Sequence, residues 1–337
     1  MSLQDASTWP QYATIDPEFD AALKAIGKLP SLDGPDVPTL RKIVLGFIEQ
    51  AAAATGPPDY SGVKKSTIEI PTRDGSSIPA LLYQPESPPS SGSPLAVLYH
   101  GGGFCVGIPE MEEPFALQLV RNNGAVAISV DYRMAPEHVF PTPITDSFDA
   151  LKWAAKSAAS LGADPTKGFL VGGLSAGGNI SAVLSHLARD EKLNPPLTAV
   201  WLDCPALVSQ EVLPEKYRKD HSSYQQNADA PLLDVKSIDF FMRNYKPVVS
   251  DPQLNPLLWP GGHKDLPPHL IQCAGLDPLR DDSLIYSREL KEQGVQVTTF
   301  VYQGVPHGFG PAFPQISAAQ KFVKDRAEWV TAQLGKR

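Results

Sequence analysis

The sequence predicts an α/β fold: a mixed, mostly parallel eight-stranded sheet flanked by helices, with a helical cap. From about residue 141 onward, short apolar runs that fit buried strands alternate with helical patterns, which indicates parallel strands covered on both faces. Two earlier strand-like segments follow one another directly and indicate an antiparallel edge. One segment, residues 205–265, interrupts the alternation without a clear strand pattern.

Each predicted element follows from a local pattern. The first 55 residues contain two amphipathic helical patterns, Pro17 to Lys28 and Val37 to Ala54. Glycine, proline or charged turns bound the elements that follow. In chain order, strands are predicted at Lys65–Ile70, Ser77–Tyr83, Leu95–Tyr99, Ala125–Val130, Gly168–Gly172, Leu197–Leu202, His269–Ala274 and Gln296–Tyr302, and helices at Pro143–Ser160, Ala176–Arg189, Asp282–Gln293 and Ile316–Leu334.

These elements predict one domain with a cap. We expect N-terminal cap helices over residues 1–55, a core over 56–204 and 266–337, and a cap insertion over 205–265. An insertion at the carboxyl side of a parallel sheet lies over the site that such sheets form there. The alternative is an ordinary surface excursion that does not contact substrate.

Composition excludes several classes of protein. Acidic residues exceed basic residues by 37 to 29, for a net charge of −8, and no lysine and arginine cluster could follow a phosphate backbone, so we expect no nucleic acid partner. The first residues lack the basic start and apolar run of a signal peptide, and no apolar stretch is long enough to predict a membrane span. We expect a cytoplasmic protein, with the final helix and last strand available for pairing in a homodimer.

Three cysteines, Cys105, Cys204 and Cys273, lie in or beside apolar runs. Their odd number and their surroundings predict reduced, buried thiols. No cysteine and histidine residues have metal-ligand spacing, and the glycine motifs lack the lysine of a phosphate loop and the third glycine of a dinucleotide fingerprint. We therefore expect no cofactor and no metal.

Two glycine motifs predict nucleophilic chemistry. Ser175 lies in Gly173-Leu174-Ser175-Ala176-Gly177, between a predicted strand and a predicted helix, as in the sharp turn that exposes a nucleophilic serine. His100 begins a His-Gly-Gly-Gly run directly after another strand. Glycines there leave backbone N–H groups free to bind an oxyanion, so Gly102, Gly103 and Ala176 are the predicted donors.

A serine nucleophile needs a base, and the base needs an acid to orient it. His307 follows the last predicted strand, downstream of every candidate acid, and is the predicted base. Asp277 directly follows a strand and is the preferred acid. Asp281 and Asp282 are rivals, although aspartate at the start of a helix is more often a cap.

Five motifs occur together in the chain: His100-Gly101-Gly102-Gly103, Asp131-Tyr132-Arg133-Met134-Ala135-Pro136-Glu137-His138, Gly173-Leu174-Ser175-Ala176-Gly177-Gly178-Asn179, Asp277-Pro278-Leu279-Arg280-Asp281 and His307-Gly308-Phe309. Together they resemble the hormone-sensitive lipase family of α/β hydrolases, with its bacterial family IV and arylacetamide-deacetylase-like members. The resemblance covers about residues 75 to 335. It implies the α/β-hydrolase fold and a serine carboxylesterase for short- to medium-chain acyl or aryl esters.

The resemblance also implies roles for individual residues. Ser175, Asp277 and His307 take the triad positions, and the segment from Asp131 to His138 is structural. An Asp131–Arg133 ion pair fits that structural reading. Leu174, directly before the nucleophile, departs from the family pattern, because many members have aspartate or threonine at this position. The difference bears on which subgroup the chain belongs to and on which substrate it takes.

Other functions remain open at this stage. A lactonase, a deacetylase or an acyl transferase of secondary metabolism would carry the same triad, because the lid and pocket select the acyl group and the acceptor. A non-catalytic small-molecule receptor on this fold would not need the base.

Overall fold

One mixed sheet forms the centre of the computed structural model, which describes residues 3–27, 32–34 and 36–334. Its strands are β1 Val63–Pro71, β2 Ser77–Pro85, β3 Leu95–Tyr99, β4 Val126–Val130, β5 Phe169–Leu174, β6 Ala199–Asp203, β7 His269–Leu276 and β8 Val297–Pro306. The spatial order is β1-β2-β4-β3-β5-β6-β7-β8. β2 is antiparallel to β1 and to β4, and all other neighbours are parallel. The predicted fold class is confirmed.

Helices cover both faces of the sheet and also occur in the N-terminal segment and in residues 205–265. Their bounds are α1 Pro17–Ile26, α2 Val37–Thr55, α3 Glu113–Asn123, α4 Thr142–Ser157, α5 Ala176–Asp190, α6 Ser223–Gln226, α7 Val235–Tyr245, α8 Arg280–Glu292, α9 Phe309–Ala312 and α10 Ser317–Leu334. Short 3-10 turns lie at Ala6–Ala13, Pro109–Glu112, Ala158–Leu161, Pro165–Lys167, Gln210–Val212, Glu215–Tyr217 and Pro256–Leu258. Within the described ranges, no helix is both long enough and apolar enough to cross a bilayer.

Both N-terminal helices begin at an aspartate cap. Asp16 accepts the Phe19 N–H at 3.0 Å, and Asp36 accepts the Thr39 N–H at 2.7 Å. Each cap is followed by a proline in the first turn, where its missing N–H costs nothing. The predicted end of the first helix at Lys28, and most of the connection to the second, lie outside the described residues.

Helix α3 and strand β8 are core elements at which the structure differs from the prediction. Helix α3 was not predicted, because it is buried on most sides and its apolar residues Phe115, Ala116, Leu117, Leu119 and Val120 show no single stripe. Strand β8 continues past the predicted end at Tyr302 to Pro306, because Gly304 takes a φ of 69° beside an irregular register with β7. This extension brings the chain to the sheet edge immediately before His307.

Two carboxylates anchor the insertion to the core. Asp281 accepts the N–H groups of Ser222 and Ser223, each at 2.7 Å. Asp282 accepts the Leu207 N–H at 3.0 Å and bonds His221 at 2.7 Å. The expectation that both aspartates cap their own helix is therefore wrong, because their buried side chains turn to N–H groups of residues 205–265.

The expected ion pair between Asp131 and Arg133 is also not formed. Arg133 instead binds Asp146 at 2.6 Å and Asp74 at 2.8 Å. Asp146 lies in α4 and Asp74 lies in the turn between β1 and β2. The planar guanidinium has enough donors to bind both carboxylates at once. Burial raises the pKa of Asp131 to about 6.

Four histidines are buried in the protein interior. His186 and His263 bond to one another at 2.9 Å, and with His269 they surround the ring of Tyr286. His100 is buried separately beside the glycine motif. Burial lowers the pKa of His100, His263 and His269 to about 4, and lowers the pKa of His186 as well. These side chains are therefore neutral in the folded protein at neutral pH.

We expect acid to destabilise the protein between pH 7 and pH 5, where the histidine side chains titrate, although the raised pKa values of Asp131 and Glu112 act in the opposite direction. The unfolded chain takes up protons near its usual histidine pKa of about 6.5, while the folded chain does not until about pH 4, so stability is greatest above pH 6.5 and falls below it. Each buried histidine should cost about 2 kcal/mol by pH 5. Burial alone would lower the pKa of His221, but its bond to Asp282 raises it and partly offsets this loss.

Denaturant unfolding measured between pH 7 and pH 5 checks this expectation. His269→Gln should flatten the decline, whereas a matched change at the exposed His138, His138→Gln, should leave it unchanged. A midpoint that stays constant over this range in the wild type would contradict the argument.

Candidate active site

The candidate nucleophile lies in a strained turn at the end of the central strand. Ser175 has a φ of 59° between β5 and α5, and its N–H donates to the Asp203 carbonyl at 2.8 Å. A left-handed φ is costly for a residue with a Cβ and is kept only where the surroundings impose it. Gly177 lies against the Tyr99 carbonyl so closely that any Cβ would collide with it. The turn thus holds the Ser175 side chain at the carboxyl edge of the sheet.

The oxyanion loop, residues 101–107, lies beside this turn. A Cβ on Gly101 would be 3.4 Å from the Ser175 Cβ. The Gly102 carbonyl accepts the N–H groups of Cys105 and Val106, each at 3.0 Å, which folds the loop into a tight turn. Among the described residues, no acceptor lies on the N–H groups of Gly102, Gly103 or Ala176. These donors are available to an oxyanion.

The candidate base and acid are joined by a hydrogen bond. His307 Nδ1 lies 2.8 Å from Asp277 Oδ2, and the other Asp277 oxygen accepts the Leu279 N–H at 2.9 Å. The carboxylate therefore favours the tautomer with the proton on Nδ1, which leaves Nε2 as the base. His307 follows β8 directly and Asp277 follows β7 directly. The structure thus places the two predicted residues together and away from Asp281 and Asp282.

One rule relates the residues at this edge of the sheet. Because the strands from β4 to β8 are parallel, their carboxyl ends meet at one edge. The residues that directly follow these strands, in the order of the sheet, are Asp131, His100, Ser175, Cys204, Asp277 and His307. Cys204 was predicted only as a buried thiol, because the predicted strand ended at Leu202, one residue before the observed end of β6.

Cys204 lies directly beside the His307–Asp277 pair. In the described part of the chain, these three residues form a cluster of potential metal ligands whose atoms lie within 4.8 Å of one another. Burial and the charges of Asp277 and Asp203 raise the pKa of the Cys204 thiol well above its usual range. A metal would need the thiolate and would have to break the 2.8 Å hydrogen bond. The donor set fits a hydrogen-bonded pair with a neutral thiol beside it better than a metal centre.

The other two cysteines are also free and buried. Burial raises the pKa of Cys105 and of Cys273 to about 12, which makes either thiol a poor nucleophile at neutral pH. His100 supports the oxyanion loop from behind: its Nδ1 lies 2.8 Å from the Gly101 carbonyl and its ring stacks on Tyr132 at 4.4 Å.

Phe241, in the insertion, is a site residue that sequence reasoning missed. Its ring covers Gly103 so closely that a Cβ on this glycine would collide with it. Two residues of α7 thus contact the loop, since Tyr245 also stacks on Phe104 with 4.1 Å between ring centroids. No local pattern in the sequence links residue 241 to residue 103.

Comparison with known proteins places this arrangement in a family. The family model described as the alpha/beta hydrolase fold matches residues 96–310. The chain is 42% identical over 270 residues to an α/β-hydrolase superfamily protein of Schizosaccharomyces pombe, covering 80% of this chain and 79% of that protein. It is 40% identical over 237 residues to a carboxylesterase of Mycobacterium tuberculosis, covering 69% and 71%.

Solved structures agree with this placement. The crystal structure of vibralactone cyclase superposes with a TM-score of 0.88 at 34% identity, covering 97% of this chain and 96% of that chain. The motifs, the sheet order and the relatives all point to the same group. The chain belongs to the α/β hydrolases and, within them, to the hormone-sensitive lipase family.

Proposed function

We propose that this protein is a serine carboxylesterase that hydrolyses short- to medium-chain acyl or aryl esters through an acyl-enzyme on Ser175. The observation that carries the proposal is the shared sheet edge, which holds Ser175, the His307–Asp277 pair and three N–H groups that have no acceptor among the described residues. The similarity to a carboxylesterase supports the same chemistry.

Each group has a defined step in this mechanism. Ser175 Oγ attacks the ester carbonyl while His307 Nε2 takes its proton, and the carbonyl electron pair moves onto the oxygen. The N–H groups of Gly102, Gly103 and Ala176 stabilise that oxyanion. The leaving alcohol then takes the proton from His307. Water, activated by the same imidazole, releases the acid and restores Ser175.

A panel of nitrophenyl esters of increasing acyl length tests the proposal. We expect turnover with short and medium acyl groups and a decline for long chains, because the ring of Phe241 lies directly against Gly103 of the oxyanion loop and leaves less room beside it for an acyl chain. Release of nitrophenol measures the rate. Turnover that is absent for every ester of the panel, with a folded protein, would overturn the proposal.

A second candidate is transfer of the acyl group to a hydroxyl, with lactone formation as its intramolecular case. The observation that favours it is the similarity to vibralactone cyclase over nearly the whole of both chains. The two functions share the acyl-enzyme and differ in whether water or a hydroxyl attacks it. Adding primary alcohols to the ester assay distinguishes them: an esterase forms mainly free acid, whereas a transferase forms mainly the new ester.

A further inference from the structure

We propose that Arg41 is a positioning residue, because its guanidinium fastens helix α2 to the oxyanion loop and thereby holds the Gly102 and Gly103 N–H groups in place. The inference rests on the proposed ester hydrolysis and adds a residue from the N-terminal cap helices to it. Arg41 does not touch the reacting atoms in this arrangement. It acts through the backbone of the loop.

The Arg41 guanidinium joins three segments of the chain. Its Nε donates to the Cys105 carbonyl and its Nη2 to the Ala135 carbonyl, each at 2.8 Å. Nη1 and Nη2 bind the two carboxylate oxygens of Glu137 at 2.9 and 2.7 Å. Only a planar fork can make this set of contacts, since an ammonium group lacks the fixed donor directions.

The segments that carry the Cys105 and Ala135 carbonyls are also joined to each other directly. The Ala135 N–H donates to the Phe104 carbonyl at 2.9 Å, so the segment around residue 135 is attached to the oxyanion loop next to Cys105. Cys105 in turn donates its N–H to the Gly102 carbonyl at 3.0 Å. A shift of the Cys105 carbonyl therefore moves the turn that carries the two oxyanion donors.

Contacts from outside the loop matter because its glycines are conformationally permissive and, among the described residues, its internal backbone hydrogen bonds join only Gly102 to Cys105 and Val106. Gly102 and Gly103 have φ values of 118° and 60° and could adopt many other conformations. On one side, Phe241 and Tyr245 pack against the loop through apolar surface. Arg41 supplies directional, charge-assisted hydrogen bonds, which apolar packing does not provide.

Arg41 is also a principal tie between α2 and the core. Among the described side chains of this helix, residues 37–50, only Val37 and Leu40 are buried. Further along, a groove of about 570 Å³ opens between the helix and the segment 131–138. Because the Arg41 and Glu137 side chains are 31% and 50% exposed, their ion pair contributes little to stability. Loss of Arg41 should therefore leave the protein folded.

The test compares Arg41→Gln, Arg41→Lys and Glu137→Gln with a matched control, Arg218→Gln, which removes an exposed ion pair with Glu215 elsewhere. We expect Arg41→Gln to lower kcat roughly 10- to 100-fold, because small displacements of catalytic donors have effects of this size. KM should change little. Lysine should restore part of the rate, and Glu137→Gln should cost less than Arg41→Gln, since it leaves both carbonyl contacts.

A trifluoromethyl ketone provides the second readout. Ser175 adds to its carbonyl, the electron pair moves to oxygen, and the proton goes to His307, so the adduct carries the oxyanion that the loop binds. The ketone should bind Arg41→Gln more weakly than it binds the wild type, by the same factor by which kcat falls. Unchanged kcat and ketone affinity, or a rise in KM alone, with melting temperature preserved, would overturn the role of Arg41. A wild type that neither hydrolyses esters nor binds the ketone would overturn the proposed function as well.

Discussion

Ser175→Ala should remove ester hydrolysis, lowering kcat by roughly 10⁵-fold or more, because no other group can form the acyl-enzyme. The change should not unfold the protein. Alanine keeps the Cβ that serine already holds at a φ of 59°, and the N–H that bonds the Asp203 carbonyl remains. Steady-state nitrophenol release and mass spectrometry of the protein after a fluorophosphonate label would measure both the rate and the loss of the modified residue.

Ser181 gives a matched control for this change. It lies in α5, where its hydroxyl donates to the Gly177 carbonyl at 2.7 Å, and it is buried like the rest of that helix face. Ser181→Ala removes a serine hydroxyl close to the turn without removing the candidate nucleophile. We expect near wild-type turnover and labelling. If Ser175→Ala kept more than a few per cent of the activity, water would be attacking the ester directly and the acyl-enzyme mechanism would be wrong.

The site predictions depended on order along the chain and on strand ends. A residue that directly follows a parallel strand lies at the carboxyl edge of the sheet, whatever the rest of the fold does. Ser175, Asp277 and His307 each hold such a position. The strand patterns were therefore enough to place these three residues at one edge of the sheet, even though β8 proved longer than predicted.

The contacts that support the site could not be predicted from the ends of the strands. The sulfur of Cys105 lies 3.8 Å from the Phe241 carbonyl, 136 positions away in the sequence, and Arg41 reaches Ala135 across 94 positions. Such contacts depend on how the insertion and α2 turn back over the core. Neither segment has a repeated pattern that would fix its direction.

Charged side chains gave the least predictable pairings. Asp281 and Asp282 follow a cap pattern, yet both bind backbone N–H groups of the insertion. Arg133 is two residues from Asp131 and binds Asp146 and Asp74 instead. Buried charges take the partners that satisfy the most hydrogen bonds, and those partners are set by tertiary structure.

Exchanging the two candidate acids for asparagine should separate catalysis from stability. Asp277→Asn should lower kcat roughly 10³- to 10⁴-fold, because an amide facing His307 Nδ1 favours the wrong tautomer and cannot stabilise the imidazolium. Its stability should stay close to that of the wild type, since Asn can still accept the Leu279 N–H. Asp281→Asn should instead lower the stability of the protein and leave kcat unchanged.

The reason lies in the partner of Asp281. Its carboxylate and the Arg280 guanidinium form an ion pair at 2.7 Å with neither side chain exposed. Removing one charge leaves the other buried and should cost about 3–5 kcal/mol, while His307 keeps its own partner and kcat per folded molecule is unchanged. Urea unfolding measures the stability of the two variants, and nitrophenol release measures their kcat. Both are measured at a temperature at which the less stable variant is still folded. A loss of kcat in Asp281→Asn, with Asp277→Asn active, would assign the orienting acid to Asp281, because of these two aspartates the one that sets the tautomer of His307 is the one whose replacement lowers the rate per folded molecule.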